Sequence, residues 1–249
     1  MNFDPAITDL PPIESAASLD LTNLPELRSL AGIEKIKGLR SIVIDTDALA
    51  LRKSFDLIAK LPELDEMTLI IKKTASPRGF DRLPKLRALK IVSRELTPSL
   101  TKQLRSVQTL ELRIPSLADA FAPLAKLTEL ALFGPKQLPP SIGKLAKLQR
   151  LRIIAGKFKT VPDELFACPA LEQLALGAPI KKLPPAIGQL KKLKRLDLTS
   201  TQLVAVPAEL AALKHLKELW LPPTVKKVPD ELAAVKLDKY VGPVRAISS

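Results

Sequence analysis

Leu183–Leu198 reads LPPAIGQLKKLKRLDL, with Leu or Ile at 183, 187, 190, 193, 196 and 198. A single helix would keep its apolar stripe at steps of three and four, and a half-buried strand would alternate. Here steps of three run into a final step of two, which predicts a turn-like segment feeding a short strand. The same pattern recurs. Aligned starts at Leu138, Val161, Leu183, Val206 and Val228 are each followed by proline. Ile142, Leu165, Ile187, Leu210 and Leu232 fall in register behind them, as do Leu145, Cys168, Leu190, Leu213 and Val235. Strand signatures close the units at 151–153 (LRI), 174–176 (LAL), 196–198 (LDL) and 219–221 (LWL).

Working back towards the N-terminus, similar signatures stand at 19–21, 42–44, 67–69, 89–91, 110–112 and 130–132. A weaker one, Tyr240-Val241-Gly242, follows near the C-terminus. A supersecondary unit repeated at about this interval cannot bury its apolar face alone and must stack on its neighbours. The chain resembles the leucine-rich repeat family, in particular its intracellular LPxxIGxLxxLxxLxL subtype of Ras-suppressor type. The match is specific from Leu138 to Leu237 and looser back to Leu19. The resemblance implies an α/β solenoid: a curved right-handed superhelix with a parallel concave sheet of ten or eleven short strands and mostly irregular or 3₁₀ convex segments. The expected division is an N-terminal cap over 1–17, the solenoid over 18–237 and a C-terminal cap or tail over 238–249. The segment 47–60 has helical spacing at Leu49, Leu51, Phe55 and Ile58, whereas PPSIGK at 139–144 is too short and proline-rich for more than a turn or 3₁₀ segment.

The family usually places an asparagine shortly after each strand, where its side chain bonds to the turn backbone. Here that position holds Pro115, Pro135, Gly156, Pro179, Thr201 and Thr224. Threonine is expected to serve some of the turn amides, and the coil corners to be tighter and less regular.

Composition sets further bounds. An apolar fraction of 46% with only 4% aromatics predicts a core of Leu, Ile, Val and Ala rather than rings. Twenty-three prolines suit a chain that turns several corners in every coil better than a helical bundle. The first residues are acidic and lack the basic and long apolar regions of a secretory signal. One cysteine excludes an internal disulfide. Together these lead us to expect a cytoplasmic protein, with export by a specialised secretion route left open. Net charge is +13, yet residues 1–50 carry four basic and eight acidic groups against thirty-five and eighteen in the remainder. The body is therefore the basic part.

No catalytic constellation, cofactor motif or metal-ligand cluster emerges. Cys168, the one thiol, aligns with core leucines, and His215 aligns with Lys147, Ala170 and Lys192, an exposed-type position. Function in the resembled family lies mostly on the concave sheet face, which implies a non-enzymatic module that binds another protein there as an adaptor, recognition module or inhibitor. Strand alternation places Ile70, Val92, Arg113, Phe133 and Ile154 in one outward row, with Glu111, Arg150, Arg152 and Arg195 beside it. Trp220, the only tryptophan, lies on the same side, either as an exposed anchor or covered by the C-terminal tail. A second pattern is a ladder of lysines in the loops leaving the strands: Lys136, Lys157, Lys159, Lys181, Lys182, Lys226 and Lys227. Stacking would align them along a lateral edge, suited either to solvation or to nucleic acid or an anionic membrane. Phe158 is the edge's main aromatic, the kind of residue on which bases stack.

Overall fold

Residues 3–46, 53–71 and 77–243 are described by the structure, a computed structural model. Each apolar triplet forms one rung of a parallel sheet. The strands are β1 (Ser18–Leu21), β2 (Ser41–Asp45), β3 (Glu66–Ile70), β4 (Ala88–Val92), β5 (Glu95–Leu96), β6 (Thr109–Arg113), β7 (Ser116–Leu117), β8 (Glu129–Phe133), β9 (Arg150–Ile154), β10 (Gln173–Leu176), β11 (Arg195–Asp197), β12 (Glu218–Trp220) and β13 (Lys239–Val241). Eleven of them form one sheet in chain order, and β5 with β7 form a second, two-stranded sheet that the repeat pattern does not announce. The weak last signature is a true rung, since β13 pairs with β12 and carries the sheet past residue 237.

The register explains why the spacing is so strict. Paired neighbours put Leu130, Leu151, Leu174, Leu196 and Leu219 in one line and Ala131, Arg152, Ala175, Asp197 and Trp220 in the next. Strand side chains alternate between faces, so the first line enters the core and the second leaves it. Every leucine of the first line is buried. Full burial of a leucine side chain contributes roughly 1.5–3 kcal/mol, and a slip by one residue would reverse the whole set.

In the C-terminal half the return segments are uniform five-residue 3₁₀ helices: Pro140–Lys144, Asp163–Ala167, Pro185–Gln189, Ala208–Ala212 and Asp230–Ala234. Each is entered through a proline, at 139, 162, 184, 207 and 229, with φ between −58° and −75°. Proline's ring fixes φ in that range, so the recurring residue sets the entry geometry of each coil. Gly143 and Gly188 have a packing reason. A Cβ on Gly143 would strike the backbone carbonyl of Glu164 on the next coil, and one on Gly188 would stand 2.9 Å from the Glu209 carbonyl oxygen.

The N-terminal half is less uniform. Of the segment expected to be helical, Leu49 and Leu51 lie outside the described residues, while Phe55 and Ile58 belong to α1 (Ser54–Ile58). A second short helix, α2 (Pro98–Thr101), is capped by Thr97, whose hydroxyl accepts from the Leu100 amide at 3.3 Å. Ile7, Leu10 and Ile13 pack, partly buried, against the core, and single parallel bridges join Asp9 to Ser29 and Ser15 to Lys37.

Rings contribute more to the core than composition suggests. Phe80, Phe121, Phe158 and Phe166 are all buried, and Phe55 meets Phe80 edge-on at 5.3 Å. Among the described residues no buried side-chain nitrogen or oxygen lacks a hydrogen-bond partner.

The corners are closed differently from the expectation. Backbone bonds between consecutive coils do the work: Lys136 N donates to Pro115 O at 2.9 Å, Lys157 N to Pro135 O at 2.7 Å, and Gln202 N to Ile180 O at 3.0 Å. A proline here lacks a donor but keeps its carbonyl as an acceptor. Among the described residues, the Thr201 and Thr224 hydroxyls accept from no turn amide. Thr201 donates to Leu198 O at 2.6 Å and Thr224 donates to Leu203 O.

Candidate functional site

Ile70, Val92, Arg113, Phe133 and Ile154 are register partners on successive rungs, so they form one continuous row across β3, β4, β6, β8 and β9. The four apolar members are half-buried rather than fully exposed. The row has defined ends. Asp45, its counterpart on β2, is buried and accepts from Asn23 N at 3.1 Å, so it is not a surface group as strand alternation alone would have it. Beyond Ile154 the next coil offers only Gly177, just past the end of β10, with Ala175 beside Arg152.

Those two small residues open a dimple of about 190 Å³, with Arg152 and Ile154 on one side and Asp197 and Thr199 on the other. Asp197 is held in place, its Oδ1 accepting from Thr199 N at 3.0 Å and from Thr199 Oγ1 at 2.7 Å. The repeat pattern identifies Arg152 and Ile154 but not this concavity. Its only sequence signal is a pair of small residues two positions apart, Ala175 and Gly177, where the preceding rung carries Arg152 and Ile154.

Most charges on the sheet face are neutralised in place. Glu111 Oε1 receives Lys90 Nζ at 3.2 Å and Arg113 Nε at 3.1 Å. Partial burial would raise the Glu111 carboxyl, but hydrogen bonds from Arg113 and Lys90 outweigh it and hold the group below the usual carboxylate range. Arg113 also lies over the Phe133 ring at 4.4 Å. Arg150 pairs with Glu129 on the neighbouring rung. Arg195 pairs with Glu218 at 2.7 Å, and just before the strands Lys194 pairs with Glu172 at 2.9 Å. Arg152 is the contrast: exposed, and without an ion pair or side-chain hydrogen bond among the described residues.

Arg195 and Trp220 form a separate patch across the dimple from the apolar row. The Trp220 ring is half-buried between Arg195 at 5.4 Å and Lys239 at 5.2 Å. Its cover, among the described residues, is therefore cationic side chains of adjacent rungs. Residues 244–249 of the tail lie outside the description.

All seven lysines of the ladder are exposed. Three of them, Lys159, Lys181 and Lys182, converge on an open groove of about 650 Å³. Lys226 instead donates to Pro223 O at 2.9 Å within its own loop. Phe158 is buried in the core, so the aromatic expected on this edge is not presented there.

Cys168 occupies its core position, and its Sγ donates to Ile142 O at 3.3 Å. Burial pushes the thiol up to about 11, which leaves it protonated and inert at neutral pH. His215 is exposed, and no cluster of metal-ligating side chains occurs among the described residues. No helix among them is long and apolar enough to cross a membrane.

No family model matches the sequence, and no curated protein matches it. Among solved structures the fold is similar to a leucine-rich repeat protein of Leptospira interrogans, with TM-score 0.67 and 25% identity over 90% of this chain. This chain spans 65% of that protein's length. It is also similar to Toll in the Drosophila Toll–Spatzle complex, with TM-score 0.66 and 17% identity over 96% of this chain and 42% of the other. A third likeness is to TLR13 in complex with ssRNA13, with TM-score 0.67 and 21% identity over 90% of this chain and 36% of the other. With eleven stacked parallel rungs, an aliphatic ladder and these neighbours, the chain is a leucine-rich repeat protein built as a curved solenoid.

Proposed function

We propose that this solenoid is a non-enzymatic binding module that takes a polypeptide partner on its sheet face, as an adaptor, recognition module or inhibitor. The single observation behind this reading is the half-buried apolar row ending at Phe133 and Ile154 beside the unpaired Arg152 and the dimple. Neighbouring folds hold partners as different as Spatzle and ssRNA13, so fold alone does not choose the partner class. This chain's own surface favours protein. Its sheet face mixes apolar side chains with charges that neutralise one another, which gives little long-range attraction for a polyanion but suits a desolvated protein contact. Among the described residues of the sheet face, Arg152 is the guanidinium left without an ion pair, able to hold a carboxylate through two parallel hydrogen bonds. A single buried cysteine fits a module that works in a reducing, cytoplasmic setting.

The test is capture from source-cell lysate at low and high salt, with wild type beside the double variant Phe133→Asp, Arg152→Glu. A discrete protein retained at high salt by wild type and lost by the variant, with the thermal transition unchanged, is the expected result. Equal retention by both would overturn the assigned face. Electrostatic binding to nucleic acid or anionic membrane through the lysines is the competing reading, and recovery of a salt-labile nucleic-acid or lipid fraction alone would favour it.

A further inference from the structure

The groove beside the lysine ladder has a composition that simple solvation does not explain. Three successive loops form it, those leaving β9, β10 and β11. Lys159, Lys181 and Lys182 stand at it, and no carboxylate lines it. None of the three lysines makes an ion pair or side-chain hydrogen bond among the described residues, unlike most cations of the sheet face. Between them the walls are apolar, built from Val161, Leu183 and prolines such as Pro185. Prolines lack an N–H, so that wall cannot add a strand by backbone pairing and must act through side-chain contact.

We infer that this groove binds a short, extended polypeptide segment in which acidic and apolar residues alternate. The charge complement is direct: unpaired ammonium groups with no competing carboxylate. The apolar walls need an apolar ligand to justify their desolvation. Three coils about 4.8 Å apart span roughly 10 Å, the reach of about three extended residues. A membrane surface would meet the lysines but not the recessed walls. Single-stranded nucleic acid would need stacking rings, and Phe158 is buried. This surface is distinct from the sheet face, so either can fail without the other.

The probe is a hexapeptide alternating glutamate and valine, added to the ¹⁵N-labelled full chain in low-salt buffer and followed by NMR. Parallel titrations use hexaglutamate, an oligothymidylate of equal length and phosphatidylserine vesicles. The amides of Thr160 and Gln202, which line the groove, should shift with the alternating peptide. The triple variant Lys159→Gln, Lys181→Gln, Lys182→Gln should bind about tenfold more weakly, as three partly exposed charge contacts together imply. Lys226→Gln with Lys227→Gln, on the same ladder but outside the groove, should bind as wild type. Hexaglutamate should bind several-fold more weakly despite its higher charge. The proposal is overturned if hexaglutamate, the oligonucleotide or the vesicles bind as tightly as the alternating peptide. It is equally overturned if the triple variant, still folded by circular dichroism, binds the peptide unchanged or if the groove amides do not move.

Discussion

The sheet face and the lysine groove lie on the same coils and handle charge in opposite ways. On the sheet face acids and bases on the same or neighbouring rungs pair: Glu111 with Lys90 and Arg113, Glu129 with Arg150, Glu218 with Arg195. At the groove, Lys159, Lys181 and Lys182 converge with no acid among them. A strand repeats its outward positions at a fixed spacing on every rung, so opposite charges there meet directly and quench each other. Loop lysines on long flexible stems have no such partner, and their field reaches solvent out to the Debye length, about 8 Å at physiological salt. The same fold thus carries the proposed contact surface, which salt should barely touch, and the proposed electrostatic one, which salt should weaken.

The largest expected effect falls on the sheet face. Phe133→Asp with Arg152→Glu should weaken capture of its partner by roughly a hundredfold, the scale of losing a central aromatic anchor together with a buried charge contact. Surface plasmon resonance would check it, and raising salt should change the wild-type affinity far less than this variant does. Next comes the stack on which both surfaces rest. Gly143→Ala forces a Cβ into the Glu164 carbonyl and should cost about 1–3 kcal/mol, with Gly188→Ala costing less because its contact is longer. Urea denaturation of the two variants gives the order, and the reverse order would show that the coils adjust freely. A third expectation concerns Cys168. Its thiol is pushed up to about 11, so the folded state keeps it protonated while an unfolded chain would ionise near the ordinary value of 9.0. The stabilisation is complete below 9.0 and is lost as pH rises through the window to about 11. A thiol reagent at neutral pH should label the protein only after denaturant is added, and Cys168→Ala should flatten the loss of stability over that alkaline window.

Smaller effects sharpen the comparison. A double-mutant cycle on Glu129 and Arg150 should give a coupling of only about 0.2–1 kcal/mol, because both groups are substantially exposed. A much larger value would mean that the face is held rigid by its charges rather than by the ladder beneath. Finally, the lowered Glu111 carboxyl contributes above the ordinary carboxylate range, and that contribution fades as pH falls through its depressed value. The Lys90–Glu111–Arg113 cluster should therefore persist below the ordinary carboxylate value of 4.5, visible as a late Glu111 side-chain titration by NMR.

The rungs and their outward rows were legible because leucine spacing is a one-dimensional signal that strand alternation converts directly into faces. Arg152, Ile154 and Phe133 could be placed on one surface from that rule. Asp45 obeyed the same rule and is nevertheless buried, because Asn23 on the preceding coil supplies an amide for its carboxylate. Phe158 sits among loop lysines in sequence, yet its ring turns into the core. Neither outcome can be read from periodicity, since both depend on contacts made across the chain.

The sequence by itself determined the stack to within one rung, with its register and the side chains that point inward, because each unit must bury the same apolar set against its neighbours. Only the tertiary structure decided which charges are spent and which remain. Ion pairs such as Arg195 with Glu218 join residues twenty-three positions apart, and Arg152 stays unpaired because the adjoining rungs place Ala131 and Ala175 beside it. The groove likewise exists only once three loops, separate in sequence, lie side by side.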